Sequence, residues 1–99
     1  MLFMLRFTDR PDSLALREKY YSAHTAWLDA HADSVLVAGV LKAEADGPNI
    51  AAQWIVTAPS SDAALALSET DPFWVNGLRA TRELFHYKVR SALEAFKRG

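Results

Sequence analysis

The chain has 99 residues, and 51% of them are hydrophobic, which is too large a fraction for an intrinsically disordered protein. The net charge is −1, with 11 Lys and Arg against 12 Asp and Glu, so the overall balance gives no indication of nucleic-acid binding. The lack of cysteine excludes disulfides, thiolate nucleophiles and cysteine-based metal sites. The length predicts a single domain over residues 1–99. Because no segment approaches the about 18 consecutive apolar residues of a membrane span, we expect a cytoplasmic protein.

Alternating apolar residues and turn residues predict six main elements in the order strand, helix, strand, strand, helix, strand. The predicted strands are residues 2–8, 35–41, 50–57 and 83–90, and the predicted helices are residues 13–32 and 63–69. Asp12 or Ser13 is the candidate N-cap of the first helix, and Ser60 or Ser61 that of the second. A short turn is predicted to begin at Asp71-Pro72 and to end near Gly77, and a tail helix is predicted within residues 91–99.

This order of elements predicts an α+β fold. It fits a split βαβ pair, βαββαβ, with one four-stranded antiparallel sheet and both helices on one face. The first and second predicted strands nevertheless carry apolar residues on both faces, among them Leu2 and Met4. An uncovered sheet face of this kind would be an exposed apolar patch. We therefore expect a homodimer in which two sheets pack face to face.

Several short motifs at a particular spacing resemble the YciI-like (YCII-related) family over roughly residues 1–90. They are Asp12-Ser13-Leu14, Arg17, His24 with Leu28 one turn later, a strand ending near Gly39, and Asp71-Pro72-Phe73 before Gly77-Leu78. The resemblance implies a ferredoxin-like dimeric α+β barrel and, by match of the motifs, a catalytic His–Asp pair formed by His24 and Asp71. The family includes an enzyme that dechlorinates a hydroxylated aromatic intermediate. Many members have Gly-Pro after the second strand where this chain has Gly39-Val40, a difference that bears on the shape of the pocket.

His24 and Asp71 each have a purely structural interpretation beside the catalytic one. His24 shares a helical stripe with Tyr21 and Leu28, so it faces the sheet or its edge, where it is either a packed histidine or a group that transfers protons near neutral pH. Asp71 precedes a proline, which is typical of a helix N-cap. A carboxylate at a helix start can cap that helix and also orient an imidazole, so the two roles are compatible.

Other side chains are candidates for binding a substrate. His86, Lys88 and Arg90 alternate along the last predicted strand, and with Arg6 on a neighbouring strand they form either a basic lining for a carboxylate or phenolate or a solvated edge. Arg17 either reaches an anion or forms a surface salt bridge. Trp27 and Trp54 are expected in the core, whereas Phe73 and Trp74 are the better pocket residues. The expected substrate-binding residues are Arg6, Arg17, Phe73, Trp74, His86 and Lys88.

The sequence offers proton transfer as its remaining chemistry, because it has no cysteine and no Gly-x-Ser-x-Gly turn. We expect no cofactor and no metal. His24 and His31 are separated by about 10.5 Å along a helix, too far to share one ion. One hypothesis is a cofactor-independent enzyme for elimination, isomerisation or hydrolysis of a small anionic or aromatic substrate. The alternative is a non-catalytic dimeric ligand-binding or accessory module, and fold analogy alone adds a cofactorless oxygenase.

Overall fold

The computed structural model describes residues 1–90, which form four strands and three helices. The strands are β1 (Leu2–Asp9), β2 (Val35–Lys42), β3 (Asn49–Thr57) and β4 (Arg79–His86), and the helices are α1 (Leu14–Ala30), α2 (Ser61–Ser68) and α3 (Pro72–Val75). All strand pairs are antiparallel and the order in the sheet is β2-β3-β1-β4, which is the ferredoxin-like arrangement. The predicted α+β fold is therefore confirmed, while the predicted tail helix lies outside the described residues.

One face of the sheet forms the hydrophobic core with the helices. Alternation along β1 places Phe3, Leu5 and Phe7 on this face, and each is at most 1% exposed. Leu5 and Phe7 form one buried cluster with Trp54 of β3 and Trp27 of α1. Burial of each such side chain contributes about 1.5–3 kcal/mol, so this face fixes which side of the sheet the helices cover.

The opposite face of the sheet carries an apolar row that crosses all four strands. The register pairs Val37 of β2 with Ile55 of β3, Ile55 with Met4 of β1, and Met4 with Phe85 of β4. Val37 and Phe85 are 39% and 45% exposed. We call this row the open-face row. The sequence predicts apolar residues on both faces of the first two strands, and this row is the apolar part of the face that the helices do not cover.

The prediction for the last strand was wrong in its position. β4 spans Arg79–His86 instead of residues 83–90, because it pairs with β1 and β1 begins at Leu2. The amide of Tyr87 donates to the Leu2 carbonyl, and β1 has no further residue to pair with beyond that point. Lys88 and Arg90 consequently lie after the strand.

The helix caps differ slightly from expectation. Ser60 Oγ accepts from the amide of Ala63 and caps α2 as predicted. Ser13 occupies the N-cap position of α1, but its hydroxyl donates to the Arg10 carbonyl instead of capping the helix. In residues 1–90 no helix is long and apolar enough to cross a membrane.

We expect Gly77→Ala to lower the free energy of unfolding by about 1–3 kcal/mol. Gly77 connects α3 to β4 with a φ of +76°, and an added Cβ would lie 3.3 Å from Arg10 Nη1. Gly77→Asn is the control, because asparagine tolerates positive φ better than alanine does. Urea denaturation measures both variants, and equal losses for Ala and Asn would contradict the backbone explanation.

Candidate functional site

The structure brings His24 and Asp71 into direct contact across 47 residues of sequence. His24 lies on the buried face of α1 and is 8% exposed, and Asp71 precedes α3 and is 1% exposed. His24 Nδ1 is 2.7 Å from Asp71 Oδ1. An ionised carboxylate only accepts hydrogen bonds, so Nδ1 carries the proton and donates it to Asp71. This hydrogen bond fixes the imidazole tautomer and leaves Nε2 as the ring nitrogen for other partners.

Asp71 also caps α3, and it does so with the same oxygen that binds His24. The amide of Phe73 donates to Oδ1 at 3.2 Å, with Pro72 at the first helical position. The Phe73 ring lies flat beneath the imidazole, with centroids 4.0 Å apart and an interplanar angle of 14°. The local sequence Asp-Pro-Phe thus positions both the carboxylate and the aromatic floor of the histidine.

Arg79, the first residue of β4, lies next to this pair. Its Nη2 is 4.0 Å from Asp71 Oδ2, and its Nη1 donates to Asp9 Oδ1 at 2.9 Å. Asp9 Oδ2 accepts from Arg17 as well, from Nε at 3.1 Å and from Nη2 at 2.7 Å. Asp9 at the end of β1 therefore links an arginine of β4 to an arginine of α1.

The Arg79 guanidinium is buried next to two phenyl rings. Its side chain is 2% exposed, and its central carbon lies 4.8 Å from the Phe7 ring centroid and 5.2 Å from that of Phe73. Burial lowers the pKa of Arg79, and the negative charge and hydrogen bond of Asp9 oppose this effect. Nε of Arg79 has no hydrogen-bond partner among the described residues.

A cavity of about 240 Å³ lies beside these groups, between α1 and the β2–β3 part of the sheet. Polar and apolar side chains share its wall, among them Arg17, Tyr21, His24, Val40, Trp54 and Arg79. Gly39 and Val40 form part of this wall. They stand where the family resemblance implies Gly-Pro, so this departure from the family pattern lies in the wall of the cavity.

A second depression of about 600 Å³ lies between the β1–α1 loop and the start of β3. Its wall includes Asp9 and Arg17 but neither His24 nor Asp71. We place the candidate site in the smaller cavity, because that cavity contains the imidazole.

Within the single chain, Arg6, His86 and Lys88 are not brought together on one face of the sheet. Arg6 pairs with Glu83 on the open face of the sheet, whereas His86 pairs with Phe3 on the core face and lies 5.0 Å from its ring. His86 is also seven residues, or roughly 23 Å, along β4 from Arg79. Arg17, which also forms a salt bridge with Asp9, and Arg79 are the arginines that line the cavity among the described residues.

Phe73 and Trp74 do not line the cavity either. Phe73 has no exposed surface and supports the imidazole from below. Trp74 is half-buried, packs against the core, and has the Arg82 guanidinium 4.2 Å from its ring centroid. Both aromatic side chains therefore act in packing.

His31 packs at the C-terminal end of α1 and does not line the cavity. Its Nδ1 lies 2.7 Å from the Trp27 carbonyl oxygen, and its ring stacks on the Trp27 ring at 4.2 Å. Within the described range 1–90, no three His, Asp or Glu side chains are grouped so as to hold a metal ion.

Asp9 and Arg79 were missed by the sequence reasoning. The predicted first strand ends at residue 8, although β1 includes Asp9, which follows a register shift after Thr8. The predicted last strand begins at residue 83, although β4 begins at Arg79, which pairs with Asp9. An earlier start for the strand would have set these opposite charges side by side.

Comparisons with known proteins agree with this fold. The model of the YCII-related domain matches residues 1–88. The structure of 5-chloro-2-hydroxyhydroquinone dehydrochlorinase from Burkholderia phenoliruptrix, in complex with 2,5-dihydroxybenzoquinone, is 32% identical with a TM-score of 0.79, covering 89% of this chain and 94% of that one. A protein from Agrobacterium tumefaciens is 15% identical with a TM-score of 0.52, over 91% of this chain and 95% of that one.

A mutant of a cofactor-independent oxygenase from Streptomyces nogalater is 19% identical, with a TM-score of 0.49 over 94% of this chain and 95% of that one. No curated protein matches the sequence at a significant level. The fold is that of the dimeric α+β barrel class, and one neighbour of this fold with substantial identity is a small-molecule enzyme. On the match over residues 1–88, the chain belongs to the family of proteins with a YCII-related domain.

Proposed function

We propose that this protein is an enzyme that acts on a small hydroxylated aromatic compound, with His24 as the general acid and base and Asp71 as the carboxylate that orients it. The observation that carries the proposal is the 2.7 Å hydrogen bond between buried His24 Nδ1 and Asp71 Oδ1 beside a cavity. It commits the proton to Nδ1 and leaves the Nε2 lone pair to accept one from a ligand. The 32% identity to a dehydrochlorinase supports a ring substrate of this class.

The reaction we favour is the elimination of HX from a polyhydroxylated ring. His24 Nε2 takes a proton from a ring hydroxyl, and the ring carbon that bears the halogen gains a proton, which gives a keto tautomer. Removal of a second hydroxyl proton then forms another C=O bond and expels the halide with the electron pair of its bond to carbon. The products are a quinone, a halide ion and a proton, so the internal redox balance needs no external oxidant.

Asp71 assists each of these proton transfers without contacting the substrate. When Nε2 accepts a proton the imidazole becomes positively charged, and the adjacent carboxylate stabilises that charge. The Phe73 amide, which donates to the same oxygen Oδ1, helps to hold the carboxylate in place. The size of the cavity, below the about 300–1,000 Å³ of drug-sized pockets, fits a single-ring substrate.

His24→Ala and Asp71→Asn are expected to reduce kcat for chloride release from 5-chloro-2-hydroxyhydroquinone by about 10²- to 10⁴-fold. The physical reason is the loss of the base in the first variant and of its orientation and charge stabilisation in the second. A chloride-selective electrode follows the reaction. His86→Ala is the control, because His86 lies against Phe3 at the far end of β4.

Full activity in both variants would contradict the catalytic assignment. Saturable binding of the ring compound with no chloride release, in the unmodified protein, would favour the alternative of a non-catalytic ligand-binding module. In that case the His24–Asp71 pair serves only to close the wall of the cavity.

We expect nitrogen NMR of the histidine rings at neutral pH to show a proton on Nδ1 of His24 and none on Nε2. Asp71→Asn removes the anionic acceptor, so the preference of His24 for the Nδ1–H tautomer is expected to weaken. His31 is the internal control, because its Nδ1 faces a backbone carbonyl that the substitution does not touch. A proton on His24 Nε2 in the unmodified protein would contradict its assignment as a base.

We also propose that a second copy of the chain covers the open-face row, as in a sheet-to-sheet homodimer. The support is the apolar row of Val37, Ile55, Met4 and Phe85 across all four strands, on the face turned away from α1 and α2. An exposed apolar patch of this extent is typical of an interface.

Sedimentation equilibrium is expected to give twice the chain mass of 11.0 kDa at micromolar concentration. Met4→Glu introduces two like charges into the centre of the interface and is expected to yield monomers. Val75→Glu is the matched control, because Val75 is 65% exposed on α3, away from the sheet. A monomer for the unmodified protein, or a dimer that tolerates Met4→Glu, would contradict the proposed interface.

A further inference from the structure

We infer that Arg79 is the ligand-binding residue of the cavity and that it takes an anionic oxygen, a phenolate or carboxylate, from a single-ring compound. This inference rests on the proposed function in so far as it uses the same cavity. It assigns the recognition of charge to a residue outside the His24–Asp71 pair and outside the basic residues that the sequence predicts.

The first argument is that Arg79 is under-satisfied for its burial. A guanidinium has five N–H donors, and the side chain of Arg79 is 2% exposed. Within residues 1–90 it makes one hydrogen bond, from Nη1 to Asp9 Oδ1. A buried charge is costly unless it is paired and hydrogen-bonded, so the protein without ligand leaves this guanidinium short of partners.

The second argument concerns which donor the cavity reaches. Nη1 is bound to Asp9, and Nε is enclosed by protein atoms. Nη2 is 4.0 Å from Asp71 Oδ2, beyond hydrogen-bond distance, and Arg79 lines the cavity. Nη2 is therefore the donor available to a ligand, and it lies on the side of the guanidinium nearest the His24–Asp71 pair.

The third argument is that Arg79 is rigidly held, as a ligand-binding arginine needs to be. The rings of Phe7 and Phe73 both pack against its guanidinium, and Asp9 holds one end of it. Asp9 itself is bound from the other side by Arg17. Little side-chain entropy remains to be lost when a ligand binds, which favours recognition of one oxygen at a defined point.

The apolar part of the ligand is defined by the opposite wall of the cavity. Tyr21, Leu28, Val40 and Trp54 line it, and they suit the faces and edges of an aromatic ring. A ring compound with an ionised oxygen towards Arg79 would present its neighbouring positions to His24. The recognition of charge and the transfer of the proton then occur on adjacent atoms of one ring.

The test uses 2,5-dihydroxybenzoquinone and benzoate, which are anions at neutral pH, and hydroquinone, which is neutral and similar in size. Calorimetric titration measures the affinity of each for the full chain. Arg79→Met is expected to weaken binding of the anions by about ten- to a hundredfold and to leave that of hydroquinone within about twofold. Methionine is an unbranched apolar side chain that can pack against the two phenyl rings, and thermal unfolding checks that the variant is folded.

Arg82→Met is the matched control, because Arg82 also lies on β4 but pairs with Glu69 and packs on Trp74. It is expected to bind the anions as the unmodified protein does. Arg79→Lys keeps a positive charge with fewer donors and is expected to bind the anions with intermediate affinity. If Arg79→Met does not fold, Arg79→Lys tests whether anion binding depends on Arg79. In a crystal of the complex, an oxygen of the anion is expected within hydrogen-bond distance of Arg79 Nη2.

The inference is overturned if neither anion binds the unmodified protein, or if loss of Arg79 leaves anion binding intact or weakens hydroquinone equally. His24→Ala separates it from the proposed function. Arg79-dependent anion binding, together with full chloride release in His24→Ala, would leave the anion site in place and remove the catalytic pair. Loss of chloride release in His24→Ala, without Arg79-dependent anion binding, would support the catalytic pair and remove the anion site.

Discussion

The candidate site depends on one buried carboxylate. Asp71 is 1% exposed, so water does not supply its hydrogen bonds, and the protein provides partners in its place. The Phe73 amide and the His24 imidazole both donate to Oδ1, while the Arg79 guanidinium lies 4.0 Å from Oδ2. One side chain thus starts α3, fixes the histidine tautomer and offsets the buried charge of β4. The contacts that hold Asp71 in the fold are therefore the same contacts that the proposed proton-transfer site requires.

The charges around the cavity alternate in sign. His24 lies 2.7 Å from Asp71, and Asp71 lies 4.0 Å from Arg79. Arg79 in turn lies 2.9 Å from Asp9, and Asp9 lies 2.7 Å from Arg17. Two carboxylates and two guanidiniums cancel, so the cluster is neutral while the imidazole is neutral. In the proposed reaction, a proton that His24 takes from a bound hydroxyl would therefore create a cation in the protein at the moment the ligand becomes an anion. The two charges arise side by side, where their attraction is strongest.

The parts of this architecture that depend on local patterns are predictable from the sequence. Alternation in β1, the Asp71-Pro72 cap and the helical spacing around His24 each involve neighbouring residues, and the structure has all three. The start of β4 and the role of Asp9 were missed because they depend on the register between strands about 70 residues apart. The alternation of His86, Lys88 and Arg90 predicts a later strand, but the pairing with β1 decides where β4 ends. Arg79 was overlooked for the same reason.

The proposed function places proton transfer and the shape of the cavity on different elements of this fold. The His24–Asp71 pair belongs to α1 and the turn before α3, whereas β2 supplies Gly39 and Val40 to the cavity wall. A proline at position 40, as in the Gly-Pro of many family members, would remove a backbone donor from β2 and restrict its φ. Val40 instead continues the strand opposite Ala52 and leaves its side chain 47% exposed beside the cavity. The wall can therefore change shape at β2 while the hydrogen bond between His24 and Asp71 stays as it is.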